Sequence, residues 1–296
     1  MTIPTNRPLF LGLAMWSHNQ WQKSLYGSGC KNSDRLARYA EVFNTVEGNT
    51  TFYATPAITT VKKWHDATPS DFRFTFKLPS TITHQNQLMH CDQLLADFFN
   101  VMVPLESKVG LWKIQLPANF GPDALPVLKK FLQKIPKHLT YGVEVRHYAF
   151  FNKGEAEKAL NGLLIEHQAN RIIMDSRPVF AAPPTSEAVI DAHQKKPHVP
   201  VHAIATAMQP MIRFIGHPEN LSNDPFFDNW LTRLPKWMAD GKQPYLFIHT
   251  PDNVLAPELA IRLYQKLQQR IANSALSLPD IALPPEPEAS PQITLL

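Results

Sequence analysis

Seven ionisable residues are of the types that move protons or hold negative charge, and each lies at or near the end of a short apolar run. They are Glu47, Lys77, Glu144, Arg146, Asp175, Arg213 and His249. Trp16, Asn49 and Gln115 occupy comparable positions. Glu47 or Glu144 can act as a general base while Lys77, Arg146 and Arg213 stabilise developing negative charge. Glu47, Lys77 and Glu144 are therefore the candidate catalytic residues. The candidate ligand-binding set is Trp16, Asn49, Tyr53, His84, Gln115, Arg146, Asp175, Arg213 and His249.

Residues so far apart along the chain meet only if the fold gathers the ends of those runs. Eight β-like runs are present: Leu9–Met15, Phe43–Glu47, Phe72–Lys77, Val109–Leu116, Tyr141–Arg146, Arg171–Asp175, Met211–Ile215 and Tyr245–His249. Several are apolar almost throughout, as parallel strands covered on both faces require. Helical signals fall between them. Asp34 precedes an apolar stripe of Leu36, Tyr39, Ala40 and Phe43, and Thr55-Pro56 reads as an N-cap followed by proline at the first helical position. Asp224-Pro225 and Pro257 open two more helices. Strand and helix alternating eight times predict a (β/α)8 TIM-like barrel, an architecture of about 250 residues. A doubly wound open sheet is the alternative, but its glycine-rich first turn is replaced here by Met15-Trp16-Ser17-His18. Residues 1–276 are assigned to the barrel and 277–296 to a proline-rich acidic tail. Two long connections, Leu78–Cys91 and Ser176 to about Pro200, are candidate lids on the face where barrel chemistry occurs.

On such a barrel three chemistries compete. A glycosidase needs two carboxyls about 5 to 9.5 Å apart. Glu47, Glu144 and Asp175 can supply the pair, and Trp16, Phe52 and Tyr53 can stack on a sugar. Runs four and seven carry Gln115 and Arg213, however, where comparable retaining enzymes place carboxylates. A divalent metal would draw on Glu47, Glu144, Asp175, His147 and His249; no cofactor is predicted, and a divalent metal stays open. Anion binding uses more of the residues. Barrels hold phosphate between the loops after strands seven and eight, and here those loops bring Arg213, Gly216, His217, His249 and Thr250, with Lys77 and Arg146 across the rim.

Charge agrees with that preference. Of 29 basic and 25 acidic residues, three acids and no base lie in residues 279–296, so the remainder carries a net +7. A body of that sign suits a phosphorylated small molecule or nucleic acid. Hydrophobic residues make up 44% of the chain, which excludes a disordered protein, and no uninterrupted apolar stretch is long enough to cross a membrane. No secretory pattern surrounds the apolar run Leu9–Met15, so a cytoplasmic address is expected. Cys30 and Cys91 form no disulfide framework.

The run Phe43-Asn44-Thr45-Val46-Glu47-Gly48-Asn49-Thr50-Thr51-Phe52-Tyr53 resembles the strongest signature of the YecE-like family, or domain of unknown function 72. Its usual neighbours follow in order: Trp64; Pro69 with Phe72, Phe74 and Lys77; Ile82-Thr83-His84; Gln115-Leu116-Pro117 with Phe120; then Tyr141, Glu144 and Arg146. The resemblance spans Gly12 to about Leu263 and implies a TIM-like barrel without implying a reaction. Departures concentrate on one face. The family's paired asparagines near the last strand are replaced by His249 and Thr250, and its histidine before Gly216 is Ile215. Leu13, Ala14 and Met15 precede Trp16 where small residues are usual.

Two hypotheses of different classes emerge. An enzyme, hydrolytic or isomerising, predicts a carboxyl of raised pKa facing a concave pocket. A binding or scaffold protein predicts rim carboxylates tied into salt bridges.

Overall fold

The structure is a computed structural model that describes residues 7–285. Eight parallel strands close into a barrel in chain order: β1 (Phe10–Leu13), β2 (Thr45–Gly48), β3 (Arg73–Lys77), β4 (Val109–Gln115), β5 (Tyr141–Glu144), β6 (Asn170–Asp175), β7 (Met211–Ile215) and β8 (Tyr245–His249). Phe10 lies opposite Tyr245 and closes the ring. The α-helices are α1 (Arg35–Val42), α2 (Ile58–Asp66), α3 (Asp92–Met102), α4 (Leu125–Lys134), α5 (Glu155–Glu166), α6 (Arg177–Ala181), α7 (Glu187–Lys195), α8 (Asp224–Ala239) and α9 (Ala256–Ile271). The eightfold alternation is thus the observed one, and the open sheet is excluded.

Side-chain alternation sorts each strand between two environments. On β4, Trp112 and Ile114 point outward into the helix layer, where Phe98 and Phe99 of α3 pack edge-on to Trp112 at 5.5 and 5.2 Å. Leu111 points inward and joins Phe10, Ile172, Met211, Tyr245 and Phe247 in an apolar plug at the start of the strands. Phe10 and Tyr245 stack there at 4.4 Å. Two residues further along β4, β7 and β8, the same inward column carries Lys113, Arg213 and His249. The barrel is therefore apolar below and charged above. Burying each plug side chain contributes roughly 1.5–3 kcal/mol, whereas desolvating ions costs free energy. Folding is driven by the plug and the outer layer, and the charged layer is carried by them.

Local details correct several expectations. Helix α2 begins at Ile58 rather than at Pro56, because Ala57 remains extended at φ −68°, ψ 145°. Asp224 occupies the first turn of α8, but its carboxylate pairs with Arg262 and Lys266 of α9 instead of capping. The connection from Ser176 onward is not a bare loop; α6 and α7 are built within it. The first part of the expected tail lies against α9: Leu278 is only 9% exposed, and Tyr264 Oη donates to the Pro279 carbonyl at 2.8 Å. Glu286, Glu288 and the remaining tail lie outside the described residues. Cys30 and Cys91 are free thiols. Among the described residues no helix is long and apolar enough to cross a membrane.

Candidate functional site

The charged layer brings together Glu47 from β2, Glu144 from β5 and Arg213 from β7, with Lys113 of β4 at its centre. Lys113 is the residue that strand-end reasoning leaves out. It stands two positions before Gln115, and only 1% of its side chain is exposed. Its Nζ binds Glu47 Oε1 and lies 3.4 Å from Glu144 Oε2. Arg213 repeats the bridge: Nε donates to Glu47 Oε2 at 3.1 Å and Nη1 to Glu144 Oε2 at 3.1 Å. Arg146, one step further out, donates through Nη2 to Glu144 Oε1 at 3.0 Å.

Burial alone would raise the pKa of both carboxyls, but the cations outweigh it. Arg213 and Lys113 hold Glu47 well below the usual carboxylate range, and Lys113, Arg213 and Arg146 do the same to Glu144. Burial and Arg213 pull Lys113 down as well, yet a charged ammonium between two carboxylates is the state that satisfies all three groups. Neither glutamate is therefore a base poised near neutral pH, and the expectation of a raised carboxyl pKa for a general base or a glycosidase acid is not met.

His249 adds a neutral group. Its Nε2 stands 3.2 Å from Glu47 Oε2. Burial first, then Arg213, lowers its pKa to about 3.

Above this layer a cavity of about 510 Å3 opens at the C-terminal mouth of the barrel. Trp16, Asn49, Tyr53, Lys77, Arg213 and His249 line it, as does Lys196, which stands just after α7. Lys77 ends β3 and makes no ion pair or side-chain hydrogen bond among the described residues; its Nζ lies 5.3 Å from the centre of the Phe52 ring. Burial, with Lys113 and Arg213 nearby, lowers its pKa well below the usual lysine value. Lys196 also lacks a carboxylate partner, and burial followed by Arg213 brings it to about 8. No local pattern singles out Lys196 within Lys195-Lys196, because only the path of the long connection returns it to the mouth.

The remaining candidates are divided. Trp16 packs edge-on against Trp64 at 5.3 Å, while Tyr53 is 82% exposed at the entrance. Asn49 Nδ2 donates to the Ala14 carbonyl at 2.8 Å, leaving its buried Oδ1 without a partner. Gln115 lies beside Glu144 in register and its buried Oε1 is likewise unpartnered. His84 sits edge-on to Phe52 at 5.0 Å, and burial followed by Arg146 lowers its pKa.

Asp175 must be withdrawn from the rim. It faces outward, where Arg177 grips its carboxylate at 2.7 Å and the Trp230 indole donates to it at 2.9 Å.

Two chemical expectations change as a result. With Asp175 turned away and Glu144 reached through cations, the expected donor set does not fit a divalent metal; no three acid, histidine or cysteine side chains gather as ligands among the described residues. The phosphate cradle after strands seven and eight is also closed. The Gly216 amide donates to the His249 carbonyl at 2.8 Å, and the His217 amide donates to Asn223 Oδ1 at 2.7 Å. Neither amide is free to receive an anion.

Cavities of about 490 and 560 Å3 beside Ile135–Tyr141 and along α8 are not lined by a buried carboxylate, lysine, arginine or histidine.

The chain is similar to known proteins over nearly its whole length. The family model described as "Protein of unknown function DUF72" matches residues 10–283, beyond the expected barrel boundary at 276. The UPF0759 protein YecE of Escherichia coli is 47% identical over 283 residues, covering 95% of this chain and 98% of that protein. DUF72 family proteins of Enterococcus faecalis and Thermotoga maritima have solved structures with a TM-score of 0.66 each. Their identities are 21% and 22%, covering 90% and 88% of this chain and 98% of theirs, and they bear on the fold alone. The chain belongs to the DUF72 family.

Proposed function

We propose that the barrel mouth binds a small phosphate-bearing molecule. One observation carries this reading: Lys77 and Lys196, both without a carboxylate partner, converge on one cavity. Lys113, Arg213 and Arg146 already exceed Glu47 and Glu144 by one positive charge. Protonating Lys196 leaves the mouth further in need of an anion. A volume of about 510 Å3 suits a metabolite-sized ligand. Trp16 and Tyr53 offer ring faces beside the cations.

Ion pairing of both glutamates favours binding over a reaction in which either acts as a base. Nucleic acid is the second reading. It shares the phosphate chemistry, but the favourable charge converges on a closed-bottomed cavity rather than along a groove.

Calorimetry with ribose 5-phosphate, ribose and a short single-stranded oligonucleotide tests the choice. The phosphorylated sugar should bind, the free sugar should bind at least about tenfold more weakly, and affinity should fall as salt rises. Lys196→Met should weaken binding by a similar factor. Failure of every phosphorylated probe to bind would overturn the proposal, and tight, steeply salt-dependent binding of the oligonucleotide alone would replace it with the second reading.

A further inference from the structure

We infer that Lys77 is a nucleophilic amine that captures the carbonyl carbon of a phosphate-bearing aldehyde or ketone as an imine. This deepens the proposed phosphate binding at the same cavity and rests on it. The geometry separates Lys77 from Lys113. Lys113 is clamped by Glu47 and lies close to Glu144. Lys77 ends the neighbouring strand, directly opposite Lys113 in the β3–β4 register, yet touches neither carboxylate. Its Nζ lies over the Phe52 ring and the side chain lines the cavity.

A lysine used only to hold an anion gains by keeping its charge. Around Lys77, burial first and then the charges of Lys113 and Arg213 instead favour the free amine, which is the form that attacks carbonyl carbon. Lys196, brought to the same cavity by the connection after α7, supplies the cation for the ligand's phosphate. One lysine thus binds charge while the other forms a bond.

The chemistry balances without an added reagent. The Nζ lone pair forms a C–N bond as the carbonyl π pair moves onto oxygen. That oxygen takes one proton and the amine loses one, giving a carbinolamine. Loss of the hydroxyl as water, with departure of the second amine proton, leaves the C=N double bond. No oxidation state changes. The neutral products are the imine and one water.

Pyridoxal 5′-phosphate, with pyridoxal as its uncharged counterpart, is the probe. The full chain is incubated with a near-equimolar amount at neutral pH, reduced with borohydride to fix any imine as a secondary amine, digested and mapped by mass spectrometry. Lys77 should carry the label at least about tenfold above the exposed Lys62 and Lys129, and inorganic phosphate should protect it. Lys77→Met and Lys77→Arg should both lose that label, the arginine variant keeping a cation; circular dichroism and thermal melting of each confirm the fold. Lowering the pH to about 6 should leave Lys77 labelling less reduced than that of the exposed lysines.

Label spread over surface lysines, or confined to Lys196, overturns the inference. Ribose 5-phosphate binding in calorimetry with Lys77 unlabelled overturns the inference while sparing the binding reading. Equal labelling of Lys77 by pyridoxal without phosphate protection supports the nucleophile and removes the phosphate reading.

Discussion

Lys113 decides the chemistry available to its neighbours. With its ammonium between Glu47 and Glu144, both carboxylates remain ionised in an interior that would otherwise protonate them. Removing one partner of a buried network leaves uncompensated charge, a loss of roughly 3–5 kcal/mol. Lys113→Met should therefore be strongly destabilising in urea unfolding. Combining it with Glu47→Gln should cost less than the sum of the two single changes, because the second removes part of the charge stranded by the first. Additive costs would mean that the two side chains do not depend on one another. The position was legible in principle: Leu111, Lys113 and Gln115 form one alternating column on β4. Its partners were not, since Glu47 lies 66 residues away.

Strands and helices respond differently to the same small substitution. A Cβ placed on Gly12 would stand 2.1 Å from the Thr45 carbonyl oxygen, a backbone atom that cannot turn aside. Gly12→Ala should force β1 away from β2 and destabilise the barrel by about 1–3 kcal/mol, as overpacking does elsewhere. Gly162, exposed in the middle of α5, would meet nothing within 4 Å. Gly162→Ala should stabilise by about 0.5–1 kcal/mol through helix propensity and reduced freedom of the unfolded chain. Thermal melts of the two variants should move in opposite directions; a shift of the same sign would contradict this contrast between barrel closure and helix surface. The strand order itself follows from repeated alternation along the chain. Helix starts were less secure, as α2 shows: Thr55-Pro56 carries the right residue types, but Ala57 keeps an extended backbone.

At the scale of the whole molecule, the buried titratable groups set how stability depends on pH. Burial lowers His249 to about 3 from an ordinary value near 6.5, so between those limits the folded protein binds fewer protons there than the unfolded chain. Stability from this group is complete above pH 6.5 and falls with acidification by about 1 kcal/mol per pH unit. Glu47 and Glu144, held low by their cations, add to the loss once the pH drops below about 4.5. Urea midpoints from pH 7 to 5 should fall for the native sequence. His249→Asn should flatten the decline, with a residual slope from Lys77 and His84, whose pKa values burial also lowers. An unchanged decline in the variant would exclude His249 as its source.

The eight strands, their parallel order and most residues at their C-terminal ends are written in the chain, because alternation and apolar periodicity are local consequences of backbone geometry. The direction of a terminal side chain is not local in that sense. Asp175 belongs to the same set of strand-end polar residues as Glu144, yet packing against Trp230 and Arg177 turns it outside the barrel. Lys196 reaches the mouth through a connection whose path depends on packing. Closure of the barrel converts scattered charges into one desolvated layer, and their mutual distances decide which groups remain charged and which amine is left unpaired.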